Sequence, residues 1–150
     1  MRALRLGLGL ALAAGLVACS GGQLAAETER NRAVVTDFAR LFYDKRDVKT
    51  AFETYVSADY TQHNPGIADG RDVAIAALTP MFSVPGAHFE VKRIVVDGDT
   101  AVVHLHGQTD PKWPGGAVAD IFRLKDGKIV EHWDVLQPIA PSTVNNHPYF

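Results

Sequence analysis

Apolar residues change their spacing along this chain, and each change marks an element. Leu6 to Ala18 is a short run of apolar and small residues preceded by Arg2 and Arg5. A charged n-region followed by a brief h-region is the pattern of a cleaved export signal, and it falls short of the roughly twenty apolar residues that a spanning helix needs. From Glu27 to Tyr43, residues Val34, Phe38, Leu41 and Phe42 form the stripe of an amphipathic helix, with Arg30, Asp37 and Arg40 on its other faces. After Asp47, a candidate N-cap, Val48, Ala51, Phe52, Tyr55 and Val56 repeat that spacing and predict a second, shorter helix. A third is expected from near Asp69-Gly70 through Val73, Ala76 and Ala77, ending at Pro80. Between the second and third helices, Tyr60 to Gly66 is polar and turn-rich.

From His88 the period drops to two. Phe89, Val91, Arg93 and Val95 alternate with Glu90, Lys92, Ile94 and Val96, and Asp97-Gly98 marks a tight turn into a return strand from Thr100 to Thr109. A Pro/Gly-rich loop from Asp110 to Gly116 leads to a strand at Ala117–Leu124. Asp126-Gly127 then turns the chain into Lys128–Gln137, a second hairpin. Three helices followed by antiparallel strands predict an α+β fold, with the helices gathered on one face of a curved sheet.

Charge and cysteine usage narrow the setting. The formal net charge is −2 over 150 residues, and losing the signal with its two arginines makes it more negative, which argues against a nucleic-acid surface. Leu16-Val17-Ala18-Cys19 contains the only cysteine and resembles the lipobox of bacterial lipoproteins, in which the cysteine is acylated and becomes the new N-terminus. The resemblance implies a signal peptide over residues 1–18, a lipidated Cys19 and flexible tether over 19–26, and a domain over 27–150. It also implies an exported lipoprotein held at the membrane of the periplasm or cell envelope, since two acyl chains anchor stably where one does not. The mature chain then has no free thiol, so its roughly 130 residues must stand on one hydrophobic core.

Gln62-His63-Asn64-Pro65, Asp97-Gly98-Asp99 to His104, Asp120-Ile121-Phe122-Arg123 and Gly127 to Val135 occur in the order found in the SnoaL-like polyketide cyclase branch of the nuclear transport factor 2-like superfamily, which the chain resembles over roughly residues 28–150. The resemblance implies a cone-shaped barrel of strongly bent antiparallel sheet wrapped by three N-terminal helices. It further implies a largely apolar cavity, frequent homodimers, and acid/base chemistry of the lyase or isomerase type with no cofactor and no metal.

Asp120 interrupts an otherwise apolar strand, and a carboxylate there is costly unless paired or used. The matching aspartate of the SnoaL-like cyclases is the catalytic acid/base; a structural carboxylate bound by Arg123 or a histidine is the alternative. His104 and His106 share one face of their strand, either the pocket or the outside; a solvent-facing pair or two metal ligands lacking a third partner are the alternatives, and the family's histidine best matches His104, the expected partner of Asp120. His63 and Asn64, on an irregular segment, are expected to bind substrate together with His106 and Trp133. On the last strand His132 and Asp134 share one face while Glu131 and Trp133 share the other. A two-residue turn sets Asp120 opposite Trp133, whereas a longer loop with a bulge brings His132 level with it, because a one-residue shift exchanges faces.

The leading expectation is a membrane-tethered enzyme that moves a proton next to the carbonyl of a small apolar substrate, through aldol, isomerase or lyase-type chemistry. The alternative is a non-catalytic envelope lipoprotein that binds a small ligand or serves in an assembly. Phosphate-cradling loops, Gly-x-Ser-x-Gly and His-Glu-x-x-His are missing, which argues against nucleotide hydrolysis, serine hydrolysis and zinc proteolysis.

Overall fold

The computed structural model describes the backbone of residues 10–150 and side chains from residue 21 onward. The n-region arginines Arg2 and Arg5 lie outside the described residues, as does the side chain of Cys19. Helix α1 spans Leu10–Ala39 and continues into a π-helical turn at Arg40–Asp44; α2 is Val48–Tyr55 and α3 is Arg71–Phe82. The strands are β1 at Val56–Gln62, β2 at His88–Asp97, β3 at Thr100–Gln108, β4 at Gly116–Lys125 and β5 at Lys128–Pro138. No helix among the described residues is long and apolar enough to cross a membrane.

The α+β expectation holds, with two differences in the sheet. Its order is β1-β5-β4-β3-β2 and β1 runs parallel to β5, so the sheet is mixed and does not close into a barrel. The helices, not a strand pair, complete the cone. β1 is an element that the sequence analysis does not predict: Val56 continues the helical spacing of α2 and Tyr60 to Gly66 reads as a turn-rich segment, and only Val56 and Tyr60 are buried in it.

Helix α1 packs from Asn31 onward. The Asn31 amide donates to Gly98 O at 2.8 Å and Gly98 N–H donates to Thr28 Oγ1 at 3.0 Å, so the helix clasps the β2–β3 turn. Ser20 to Gln23, expected as a flexible tether, is helical here, although Gly21 and Gly22 touch nothing. Helix α2 starts where expected, with Asp47 accepting from Thr50 N–H at 3.1 Å. Pro80 does not stop α3: it removes one N–H from the last turn, and the helix runs on to Phe82, where Ser83 N–H and Oγ both donate to Thr79 O.

Two bulges bend the sheet and set which side chains face the helices. Between Val91 and Arg93 the β2–β3 register slips by one, so Phe89 and Val91 share the helix-facing side with Ile94 and Val96 rather than with Arg93 and Val95. The second slip lies between Arg123 and Leu124 on β4, opposite Val130 on β5. The inner face closes over aromatic rings: Phe38 meets Phe122 at 5.5 Å, Phe42 stacks on Phe82 at 4.3 Å, and Phe82 stacks on Phe89 at 4.0 Å. Such pairs contribute about 0.5–1.5 kcal/mol each beyond their burial.

Candidate active site

The open end of the cone encloses a cavity of about 230 Å³ walled by Phe38, Phe42, Phe82 and Phe89 from one side and by β3 to β5 from the other. Its polar groups include a convergent set, Tyr43, Tyr60, Gln62, Asn64, Asp120, His132 and Asp134, with Thr109 also in the lining. Among the described residues no lysine or arginine lines it.

Asp120 stands at the centre. On β4 it pairs with Val103 of β3 and Asp134 of β5, and only 9% of it is exposed. Its Oδ2 accepts a 2.5 Å hydrogen bond from the Tyr43 hydroxyl, and its Oδ1 lies 3.1 Å from His132 Nε2. Tyr43 reaches it because the π-helical turn at Arg40–Asp44 widens the end of α1 and aims the ring inward; such turns recur at functional sites. Burial, with the nearby Asp120 charge adding to it, holds the Tyr43 hydroxyl well above its usual range, so it remains a neutral donor. Burial raises Tyr60 in the same direction.

The proton inventory of His132 follows from its neighbours. Gln62 Oε1 accepts from Asn64 N–H at 2.9 Å, which identifies that atom as the amide oxygen, and the same oxygen lies 2.8 Å from His132 Nδ1. Nδ1 therefore carries a hydrogen. The Nε2···Oδ1 contact then holds one proton, either on the imidazole of an ion pair or on the carboxyl of a neutral one. His132 is fixed in place by Phe122, whose ring centroid is 5.1 Å away, and by Tyr60. Beside this dyad, Asn64 donates to Asp134 Oδ2 at 2.5 Å and accepts from Gly66 N–H at 2.8 Å, which orients its amide toward the cavity.

The second bulge decides the face of β5. The Asp126-Gly127 turn is a two-residue one, with φ of 51° and 75° at its centre, and Lys125 pairs with Lys128 as a tight hairpin requires. One extra residue at Val130 then shifts the register, so Asp120 faces Asp134, Phe122 faces His132, and both polar β5 residues point inward.

Several expected site residues lie elsewhere. His104, expected as the partner of Asp120, is on the outer face of β3, because Ala101, Val103, Leu105 and Gly107 fill the inner positions of that strand. His106 is on the same outer face, near the ring of Phe150 and with Nε2 2.8 Å from Pro114 O. Trp133 also faces outward, stacked on His63 with ring centroids 4.5 Å apart. His63 in turn bonds Glu131 at 2.8 Å, and Arg123 bonds the other oxygen of that carboxylate. Of the expected set, Asp120 and Asn64 line the cavity. Tyr43 and Gln62 belong to the site without having been singled out by sequence.

The donor atoms of Asp120, His132 and Asp134 lie within 4.8 Å of one another. A cation there must displace the Asp120–His132 bond and compete with Asn64 for Asp134, so these residues already satisfy each other.

The sequence profile of the SnoaL-like domain matches residues 35–132. The chain belongs to this family. No curated protein matches the sequence. Among solved structures, TsrD from Streptomyces laurentii is 25% identical with a TM-score of 0.57, covering 70% of this chain and 89% of its own. An NTF2-like protein of unknown function from Burkholderia xenovorans is 17% identical with a TM-score of 0.64, covering 79% of this chain and 91% of its own. A protein from Jannaschia, provisionally described as a SnoaL-like polyketide cyclase, is 21% identical with a TM-score of 0.56, covering 73% of this chain and 87% of its own. This SnoaL-like domain thus shares its fold with proteins of several names, and its function must be argued from its own cavity.

Proposed function

We propose that this SnoaL-like protein catalyses cofactor-free proton transfer next to the carbonyl of a small, uncharged, largely apolar substrate, by isomerase, cyclase or aldol-type chemistry. The observation that carries the reading is the one-proton dyad of Asp120 and His132, closed by the Tyr43 hydroxyl in an otherwise aromatic cavity. In its ion-pair form, Asp120 accepts the α-proton of the substrate through a free lone pair while His132 remains an imidazolium. The C–H electron pair becomes the enolate, whose negative charge forms beside that cation and so needs no compensating ion from solvent. Returning the same proton from Asp120 to another carbon completes an isomerisation; carbon–carbon bond formation by the enolate completes a cyclisation.

Asn64 has one amide hydrogen left after bonding Asp134 and is the group that would hold the carbonyl oxygen. The lack of lysine and arginine in the lining supports a neutral substrate over a carboxylate or phosphate ester. Leu16-Val17-Ala18-Cys19 supports lipidation at Cys19 and anchoring of the domain at the membrane; mass spectrometry of the N-terminal peptide from a bacterial host should find a diacylated Cys19, and an unmodified one would contradict the anchor.

The test is α-proton exchange. Incubated in deuterated buffer with a panel of cyclic ketones and 1,3-dicarbonyls, the protein should accelerate exchange of at least one, with the same rate in the presence of EDTA. Ligand-induced chemical shifts without any accelerated exchange would replace the enzyme by a small-ligand-binding protein.

A further inference from the structure

The outer face of the sheet carries a second cluster of ligating groups, remote from the cavity lining. His88 and Glu90 alternate on β2 and so point the same way, and Glu90 pairs directly with His106 of β3. One donor atom from each lies within 4.8 Å of the other two. We propose that His88, Glu90 and His106 form a surface site for a divalent transition metal, with Zn²⁺ as the natural occupant.

Each ligand is already prepared for that role. Glu90 has two oxygens in separate employment: Oε1 takes Lys92 Nζ at 2.7 Å, while Oε2 faces His88 Nε2 at 3.8 Å and is left for a metal. His106 Nε2 faces Pro114 O at 2.8 Å, and that carbonyl can only accept. The hydrogen is therefore on Nε2, and the lone pair is on Nδ1. A histidine that donates one nitrogen to a backbone carbonyl and offers the other is the usual arrangement around a bound metal.

The Pro114 contact is itself built. Gly115 has φ +87°, and a Cβ on it would sit 2.6 Å from both His106 Nε2 and Gly107 O, so only glycine lets the loop close on this histidine. Two imidazoles and one carboxylate suit zinc with a water in the fourth position. The exposed side chains of His88 and Glu90 can rotate the short distance from the present spacing to zinc contact. Because the same loop carries Trp113 into the cavity wall and its carbonyl oxygen accepts from Gln108, metal at this site would tie the cavity rim to β2.

The experiment is calorimetric titration of the untagged full chain with Zn²⁺ at pH 7.5, paired with Tm measured with and without the metal. The expected result is one equivalent bound and a raised Tm, with affinity falling at least tenfold and the Tm rise lost in His88→Ala and in His106→Ala. His104→Ala and Asp134→Asn should bind as wild type, the former because it lies outside the trio and the latter because it belongs to the inner cluster. Absence of stoichiometric binding, or binding that survives His88→Ala and His106→Ala, overturns the proposal; loss in Asp134→Asn alone would place the metal in the cavity instead.

Discussion

Tyr43 and Asp120, 77 positions apart in sequence, meet inside the cavity through a 2.5 Å hydrogen bond from the phenol to Oδ2. The bond links the π-helical end of α1 to the middle of β4, so the helix layer and the sheet layer share one polar contact at the point where both are otherwise aromatic. A carboxylate held in this way has one oxygen fixed by the Tyr43 hydroxyl and the other by the His132 imidazole.

Tyr43→Phe removes the donor and keeps the ring. The stability change should be about 1 kcal/mol, the net worth of one hydrogen bond, while the exchange rate on the best substrate should fall on the order of 10²-fold, as for loss of one preorganised donor. Denaturant melts and exchange kinetics on the same samples separate the two effects.

The histidines distinguish the cavity from the sheet's outer face. His132→Gln should lower exchange by about 10² to 10⁴, because an amide can still donate to Asp120 but cannot carry the positive charge beside the enolate, whereas His104→Ala should leave exchange unchanged. Equal losses in both variants would mean that His104 reaches the substrate by a route that its outward position does not offer.

The bulge at Val130 makes a sharper claim about register. Deleting Val130 from an otherwise tight Asp126-Gly127 hairpin should move His132 and Asp134 to the outer face and bring Glu131 and Trp133 inward. Folding should persist with a lower Tm and exchange should vanish. A deletion variant that retains exchange would show that the strand restores its bulge at another position.

Much of this architecture was legible in the spacing of apolar residues: α2 with its Asp47 cap and the two hairpins follow from it, while Asp120 stood out as the one carboxylate in an apolar strand and by its match to the family's aspartate. The parts that escaped are those set by single-residue insertions. Because a bulge reverses every later side chain, the alternation that predicts β2 does not say that Ile94 and Val96 face the core, nor does the turn at Asp126 reveal His132. β1 escaped because its pairing partner, β5, lies far along the chain, Val56 continues the helical spacing of α2, and Tyr60 onward is rich in turn formers. Tyr43 reads as the last residue of the first helix, outside its apolar stripe, and only the extra residue of the π turn aims it at Asp120. His104 was misplaced because two alternate histidines identify a shared face without saying which face it is.

Acid stability should depend on the outer-face ion pairs. Hydrogen bonds from His63 first and Arg123 next hold Glu131 below the usual glutamate range. A carboxylate with a depressed folded-state pKa stabilises the fold above its unfolded value of about 4.3, and that contribution is lost as pH falls through the folded value. Wild-type Tm should therefore drop more steeply than that of Glu131→Gln as pH falls below the unfolded value. Parallel curves would show that the pairs contribute nothing measurable, the common outcome for exposed ion pairs.

The central claim is that Asp120 carries the proton. The most direct measurement compares wild type with Asp120→Asn on one substrate that both demonstrably bind by NMR shift titration, following deuterium incorporation at its α-carbon. The account predicts comparable binding and a loss of exchange of about 10²-fold or more in the variant. Exchange at the wild-type rate from a correctly folded Asp120→Asn would contradict it.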